Sequence, residues 1–405
     1  MRPPRRVIRR TIVDPLWVPL GLALSAAFLA VAAVAALVAP LTPRRRVLRL
    51  ALFGSLYFTL NVWLLLSCTA LWVLQPRAAR RDRDRWLQRH ERALDRVLSV
   101  LVAAGRPLFG FTVEVQEPPD RDLIAGRPLL VLARHGGPGD SFALVHLLLS
   151  RYQRCPAIVL KETLRWDPGL DVILSRLPSC FLEAGDGQRM ASRMSELART
   201  MRPQDAILLF PEGGNWTPGR HRNAIARLRR AGRRQAAADA ESNRNVLPPR
   251  PAGVLACLAG RPDLGVVVVA HTGLETLTSP AQMWQAIPVT GRPMTVRWWY
   301  VPAAALPDTD DQRREWLRLQ WAIVDAWIDA RKASRGERVR EQAAPEPAEP
   351  VAAEPVPAAE PQRMLPAPIL AEPGPVPTAP DGSITLPGDV AGTGPAEPLT
   401  GAAEH

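Results

Sequence analysis

The chain has 405 residues, 51 Lys plus Arg against 39 Asp plus Glu, and a net charge of +12. That charge is uneven: from Glu341 to His405 ten acids face one base, Arg363, so the tail is −9 and the first 340 residues carry +21. A hydrophobic content of 47 % excludes a wholly disordered chain, and four cysteines without CxxC spacing give neither a zinc site nor a disulfide framework. Cys68, Cys155, Cys180 and Cys257 all sit in apolar contexts, which reads as buried thiols in a reducing compartment.

Two uncharged blocks come first, Leu16–Ala39 and Leu50–Leu74. Each is about 36 Å long as a helix, enough for a hydrocarbon core of roughly 30 Å. Arginines precede the first block as they would a signal peptide, but its length and the second block behind it favour retained membrane helices. Arg2, Arg5, Arg6, Arg9 and Arg10 precede the pair, Arg44, Arg45, Arg46 and Arg49 separate its members, and Arg77, Arg80, Arg81, Arg83 and Arg85 follow it. Two spanning helices would put the middle arginines outside, against the positive-inside bias. A hairpin dipping into one leaflet would keep all three clusters near anionic headgroups. The sequence leaves both arrangements open.

Asp82–Ala104 reads as an amphipathic helix with Trp86, Leu87, Leu94, Val97, Leu98, Leu101 and Val102 mainly on one face. Strands are expected at Leu129–Ala133, Ala157–Leu160, Cys180–Leu182, Ala206–Phe210, Gly265–Ala270 and Met294–Val301. Helices are expected at Ser141–Ser150, Gln188–Met201, Arg220–Arg233 and Asp310–Arg331. This alternation predicts an α/β domain, a sheet flanked by helices. Fifteen prolines between Pro345 and Pro398, mixed with Ala and Glu, predict a disordered tail. The expected organisation is a membrane anchor over 1–80, an amphipathic linker over 81–112, the α/β domain over 113–335 and the tail over 336–405.

Four segments carry residues fit for chemistry. Ala133-Arg134-His135-Gly136-Gly137-Pro138-Gly139-Asp140-Ser141 leaves a strand and enters a helix. Its turn can fold back so that Asp140 holds one ring nitrogen of His135 and leaves the other to take a hydroxyl proton. A plain turn with Asp140 as helix N-cap gives the same letters. Phe210-Pro211-Glu212-Gly213-Gly214-Asn215 also follows a strand; Glu212 can reach a ligand there or simply be solvated. Lys161, Arg165 and Trp166 gather two cations and an aromatic after a third strand. Arg250 lies between Pro249 and Pro251 and can fork onto a phosphate. His271 reads as a packed histidine, with lining the site as the rival. The Arg227–Arg234 cluster has no nucleic-acid signature beside it, so phospholipid headgroups rather than nucleic acid are its expected anions.

In this order, HxxxxD, K-x-x-L-R-W-x-P, F-P-E-G and V-L-P-P-R-P-x-G resemble the lysophospholipid acyltransferase family over about Leu129 to Arg331. The group includes 1-acylglycerol-3-phosphate acyltransferases, and the branch with lysocardiolipin acyltransferase is the most similar. The resemblance implies a glycerolipid acyltransferase-type α/β fold. It implies His135 as general base and Asp140 as its orienting acid. It also implies that Lys161, with Arg165, and the block of Glu212, Gly213 and Gly214 serve the acceptor, together with Arg250. No bound cofactor or metal is implied, since acyl-CoA or acyl-carrier protein brings the activated acyl group. Many members read E-G-T-R where this chain has Glu212-Gly213-Gly214-Asn215, so the arginine is missing; Arg220, Arg222 or Arg250 could supply its charge. The oxyanion donors expected from the residues are backbone N–H groups of the Gly136–Gly139 turn or of the 213–214 pair.

The expected activity is therefore acylation of a lysophospholipid, 1-acyl-sn-glycerol-3-phosphate first, in phospholipid biosynthesis. The expected place is the cell membrane, with the catalytic domain on the cytoplasmic side. A glycolipid or other polar-lipid acceptor is the alternative that Asn215 raises. An inert membrane scaffold is the alternative from another class.

Overall fold

The computed structural model describes residues 3–42, 44–75, 81–116, 121–137, 139–182, 187–274, 280–289 and 293–343. The expected tail disorder beyond residue 343, and Arg77 and Arg80 of the third arginine cluster, lie outside the described residues.

In chain order, two apolar helices, α1 (Arg6–Leu37) and α2 (Arg46–Val73), precede the amphipathic α3 (Arg83–Phe109). Then come β1 (Val113–Gln116), α4 (Arg121–Ile124), β2 (Leu129–Ala133), α5 (Asp140–His146), β3 (Cys155–Lys161), α6 (Pro168–Leu174) and β4 (Ser179–Leu182). They are followed by α7 (Gly187–Arg199), β5 (Asp205–Leu209), α8 (Pro218–Arg230), α9 (Arg234–Ser242), α10 (Pro251–Gly260) and β6 (Gly265–Thr272). The last elements are α11 (Pro280–Ala286), β7 (Met294–Val301) and α12 (Asp310–Ala343).

Seven strands form one sheet in the order β1-β7-β6-β2-β5-β3-β4. β6, β2, β5, β3 and β4 run parallel, and β7 reverses against β6, with β1 parallel to β7. β2, β5 and β6 are buried along their whole length, as continuous Leu, Val, Ile and Ala runs require when both faces are covered. One face packs Leu129, Val131 and Ala133 against α3, α5 and α6; the other packs Leu130 and Leu132 against α7, α10 and Trp321 of α12. The carboxyl ends of β2, β3, β5 and β6 therefore share one edge, where open parallel sheets collect ligand-binding residues.

Some helix starts follow simple chemistry. Asp167 caps α6, accepting from the Leu170 N–H at 2.9 Å ahead of Pro168 at the first helical position; Thr217 and Pro218 do the same for α8. Several boundaries differ from the sequence reading. The helix expected to end at Arg331 runs to Ala343, because Arg, Glu, Gln and Ala are good helix formers, so the boundary at 335 cuts through it. The single helix expected over Arg220–Arg233 breaks at Gly232, which has φ +71°, and a second helix, α9, follows. The short β1, α6 and α10 were not expected.

The apolar helices pack on each other as a hairpin. Phe28 stacks on Phe58 with centroids 5.6 Å apart, and a Cβ at Gly54 would meet Phe28 at 2.7 Å. Leu16, Leu20, Leu29, Val34 and Leu37 are exposed, while Leu64, Leu65 and Cys68 of α2 enter the core. Both ends of the hairpin touch the α/β domain. At one end Arg9 and Arg10 reach Asp171 of α6 at 2.9 Å, and Asn61 donates to Asp167 at 2.6 Å beside a Tyr57 contact to the same carboxylate. At the turn between the helices, Arg46 donates to the Ile287 carbonyl at 3.2 Å and Arg44 to that of Gln285 at 3.1 Å.

Asp171 is 1 % exposed and also pairs with Arg165 at 3.0 Å. Removing a partner from a buried ion cluster leaves charge uncompensated. Asp171→Ala is expected to cost about 3 kcal/mol or more, read as a clear fall in melting temperature in detergent. An unchanged melt would mean that the three arginines find other partners.

Candidate active site

His135 leaves β2 two residues after its last paired position and turns its ring back toward the start of α5. Its Nδ1 lies 2.8 Å from Asp140 Oδ2, so Nδ1–H donates to the carboxylate and Nε2 keeps its lone pair. Among the described residues Nε2 has no partner, and the side chain is 22 % exposed while Asp140 is 1 % exposed. The ring also lies against Phe210, with centroids 4.5 Å apart.

Asp140 is held from several directions. Oδ2 also accepts the Gly136 N–H at 2.9 Å and the Gly137 N–H at 3.3 Å, and Oδ1 accepts the Ser141 N–H at 2.6 Å. Burial alone would raise its pKa. The His135 hydrogen bond, the neighbouring His271 and the glycine N–H groups outweigh burial and hold the carboxyl below its ordinary range. The glycines are needed for close approach: a Cβ at Gly136 would lie 2.5 Å from Arg134 Nη1, and one at Gly137 would lie 2.6 Å from the Leu274 carbonyl oxygen.

This arrangement narrows the set of expected oxyanion donors to the Gly139 and Gly214 N–H groups. The Gly136 and Gly137 N–H groups point at Asp140, and the Gly213 N–H donates to the Phe210 carbonyl at 3.0 Å. Of the 213–214 pair, the Gly214 N–H is left without an acceptor among the described residues.

Glu212 follows β5 and is 2 % exposed, so it is neither solvated nor a free arm into the cleft. Oε1 accepts the His135 N–H and the Trp321 Nε1–H, each at 3.3 Å, and Oε2 accepts the Leu247 N–H at 3.1 Å. The Trp216 N–H donates to the His135 carbonyl at 2.8 Å, so the 212–216 loop is tied to the His135 backbone on both sides. Burial outweighs the nearby Arg134 charge and these donors, and pushes the Glu212 pKa up to about 8.

Beside this loop opens a cleft of about 810 Å³. Lys161, Gly213, Gly214, Arg220 and Arg250 all line it, as does the edge of Glu212. Gly213 has φ +70°, and a Cβ there would meet Arg250 Nη1 at 3.0 Å; a Cβ at Gly214 would meet Arg220 Nη1 at 3.2 Å. Two guanidinium groups therefore flank the glycine pair, next to the Asn215 that replaces arginine. Arg165 is not brought to the cleft: besides Asp171, its guanidinium sits 3.6 Å from the Phe181 ring centroid.

Two further residues belong to the site's frame. Arg134, fully buried, donates to the Asn245 carbonyl at 2.8 and 3.1 Å and to the His271 carbonyl at 2.9 Å. His271 lies with Nε2 2.8 Å from the Arg134 carbonyl and 3.6 Å from Asp140 Oδ2. A packed histidine and one near the acid are thus the same residue. Its position at the end of β6, a neighbour of β2, was the available signal; Arg134 gave none beyond preceding His135.

Residues 112–250 match the family model described as Acyltransferase. Among solved structures, the 1-acyl-sn-glycerophosphate (LPA) acyltransferase PlsC from Thermotoga maritima aligns over 68 % of this chain and 95 % of its own, with 16 % identity and a TM-score of 0.42. No curated protein matches the chain significantly.

The raised pKa of Glu212 has a consequence for stability. The folded state keeps a proton between the ordinary carboxylate range and about 8, while the unfolded chain has released it. The Glu212 contribution therefore falls as pH rises through that window, by up to ~1.4 kcal/mol per pH unit. Glu212→Gln titrates in neither state. Melting curves from pH 5 to 8 are expected to decline less steeply for the variant than for the parent; parallel curves would rule out titration of Glu212.

Proposed function

From a chain whose residues 112–250 belong to the Acyltransferase family, we propose a membrane-seated enzyme that moves an acyl group from a thioester to a lipid hydroxyl. The observation that carries this reading is the His135–Asp140 pair, whose histidine is bonded through its backbone N–H to Glu212 in the wall of a cationic cleft. The acceptor hydroxyl gives its proton to His135 Nε2 as its oxygen attacks the thioester carbonyl carbon. Asp140 stabilises the resulting imidazolium. The tetrahedral intermediate collapses, the carbon–sulfur bond breaks, and the departing thiolate takes the proton from His135. The Gly214 N–H is the backbone donor best suited to the oxyanion.

The acceptor is a lysophospholipid, 1-acyl-sn-glycerol-3-phosphate first, and the donor is acyl-CoA or acyl-carrier protein. Lys161, Arg220 and Arg250 give an anionic headgroup its counter-charge, and they favour a phosphate over an uncharged glycolipid despite Asn215.

The hairpin lies along the domain within one leaflet. Arg9 and Arg10 at its start and Arg44 and Arg46 at its turn contact the same domain, which supports this placement over a span with its turn on the far side. The described arginines at the start and the turn of the hairpin then face one surface, and the positive-inside bias assigns that surface to the cytoplasm.

The test uses the full chain in lipid nanodiscs with labelled acyl-CoA and 1-acyl-sn-glycerol-3-phosphate. His135→Ala is expected to lower turnover by about 10³-fold, and Asp140→Asn by about 10²-fold, with melting temperatures close to the parent's. Full turnover by a folded His135→Ala variant would sink the mechanism. Product formed from uncharged acceptors alone would sink the acceptor assignment.

A further inference from the structure

We propose that the cleft beside the glycine pair Gly213–Gly214 receives a ligand with more than one phosphate group, the second phosphate being held by Arg227 and Arg233. The proposal deepens the acyl-transfer reading and takes its ligand class from it.

Five cations line this one cleft: Lys161, Arg220, Arg227, Arg233 and Arg250. Among the described residues the only acid in its wall is Glu212, whose oxygens point back at N–H donors. Among the described residues none of the five pairs with a carboxylate. Elsewhere the chain does neutralise such groups: Arg229, on the same helix, pairs with Glu241, and Arg318 with Asp239. Like charges gathered in a concavity focus the field and raise the local concentration of anions.

The cations fall into two groups. Arg220 is fixed by a 3.1 Å bond to the Asn215 carbonyl and lies against Gly214; Arg250 lies against Gly213. With Lys161 they frame one anion at the glycine pair. Arg227 is two helical turns further along α8, about 10 Å by the rise of the helix. Arg233 lies past the helix end, beyond Gly232. One phosphate at the glycines leaves Arg227 and Arg233 with nothing to neutralise. Favourable placement near the α8 carboxyl end does not account for them. Arg229 and Arg230 occupy that end as well and do not line the cleft.

Two sources fit a ligand with several phosphates. One is an acceptor whose headgroup carries a second phosphate. The other is the nucleotide part of a CoA donor. Both present phosphates too far apart for a single cation pair.

Arg227 and Arg233 are exposed, so Arg227→Gln/Arg233→Gln is expected to fold normally. Titration calorimetry on the full chain in nanodiscs at low salt would use glycerol 3-phosphate, glycerol 1,3-bisphosphate, CoA and 3′-dephospho-CoA. The parent is expected to bind the bisphosphate, or CoA over its dephospho form, at least about tenfold more tightly than the probe with one phosphate fewer. The double variant should lose that advantage and keep its affinity for glycerol 3-phosphate. An advantage with the bisphosphate identifies the acceptor as the source; one with CoA alone identifies the donor. The proposal is overturned if neither probe shows the advantage, if the variant keeps it, or if the variant impairs only transfer from acyl-carrier protein. Product formation by the same parent sample reports separately on the acyl-transfer reading, because the binding readout needs no turnover.

Discussion

A single buried carboxyl group holds the cleft edge of this protein together. Glu212 accepts hydrogen from the backbone of His135, from the backbone of Leu247 and from the Trp321 indole. Those donors belong to the strand end that carries His135, to the segment that leads to Arg250, and to the terminal helix. Each would be costly to leave unsatisfied in the interior. Fixing the carboxyl group therefore fixes three parts of the chain relative to one another, and the cleft is the space that remains between them. The second layer has the same logic: Arg134 reaches the carbonyls of Asn245 and His271, and Asn245 is held in turn by Asp325 and Asp329 of α12. Two acidic residues of a helix far along the chain thus help set where His135 stands.

Much of the central sheet was legible in the sequence because its strands are buried on both faces. Leu129–Ala133 is a continuous apolar run and Met294–Val301 an apolar and aromatic run interrupted by Thr295 and Arg297, and the structure ends both at the same residues. Elements without that contrast escaped. Val113–Gln116 is four residues long with no run to mark it, and Pro251–Gly260 is apolar all round, so no face stands out. The pairing of His135 with Asp140 was legible because the two are local, five residues apart on one turn. The role of Arg165 was not. Its partner Asp171 also collects Arg9 and Arg10, which lie more than 160 residues earlier in the chain. The direction of the glycine N–H groups was equally hidden, since it depends on where the Asp140 carboxylate settles.

The two apolar helices show how composition and contacts answer different questions. Composition marks them as membrane-seeking, and their exposed leucines and valines agree. Their polar residues point elsewhere: Tyr57 and Asn61 face Asp167, which caps the helix after the Lys161 loop, and Trp17 donates to Asn61 at 2.7 Å. One face of the hairpin suits lipid and the other completes the protein core.

That double duty has a practical side. Leu64, Leu65 and Cys68 of α2 pack into the same cluster as Leu94, Leu98 and Leu144, so the first eighty residues are not a detachable anchor. Trimming them away would strip the lid from an apolar core, take Tyr57 and Asn61 from Asp167, and leave Asp171 with Arg165 alone of its three arginines. A foreign transmembrane segment of equal hydrophobicity would restore attachment to the bilayer and none of that wall.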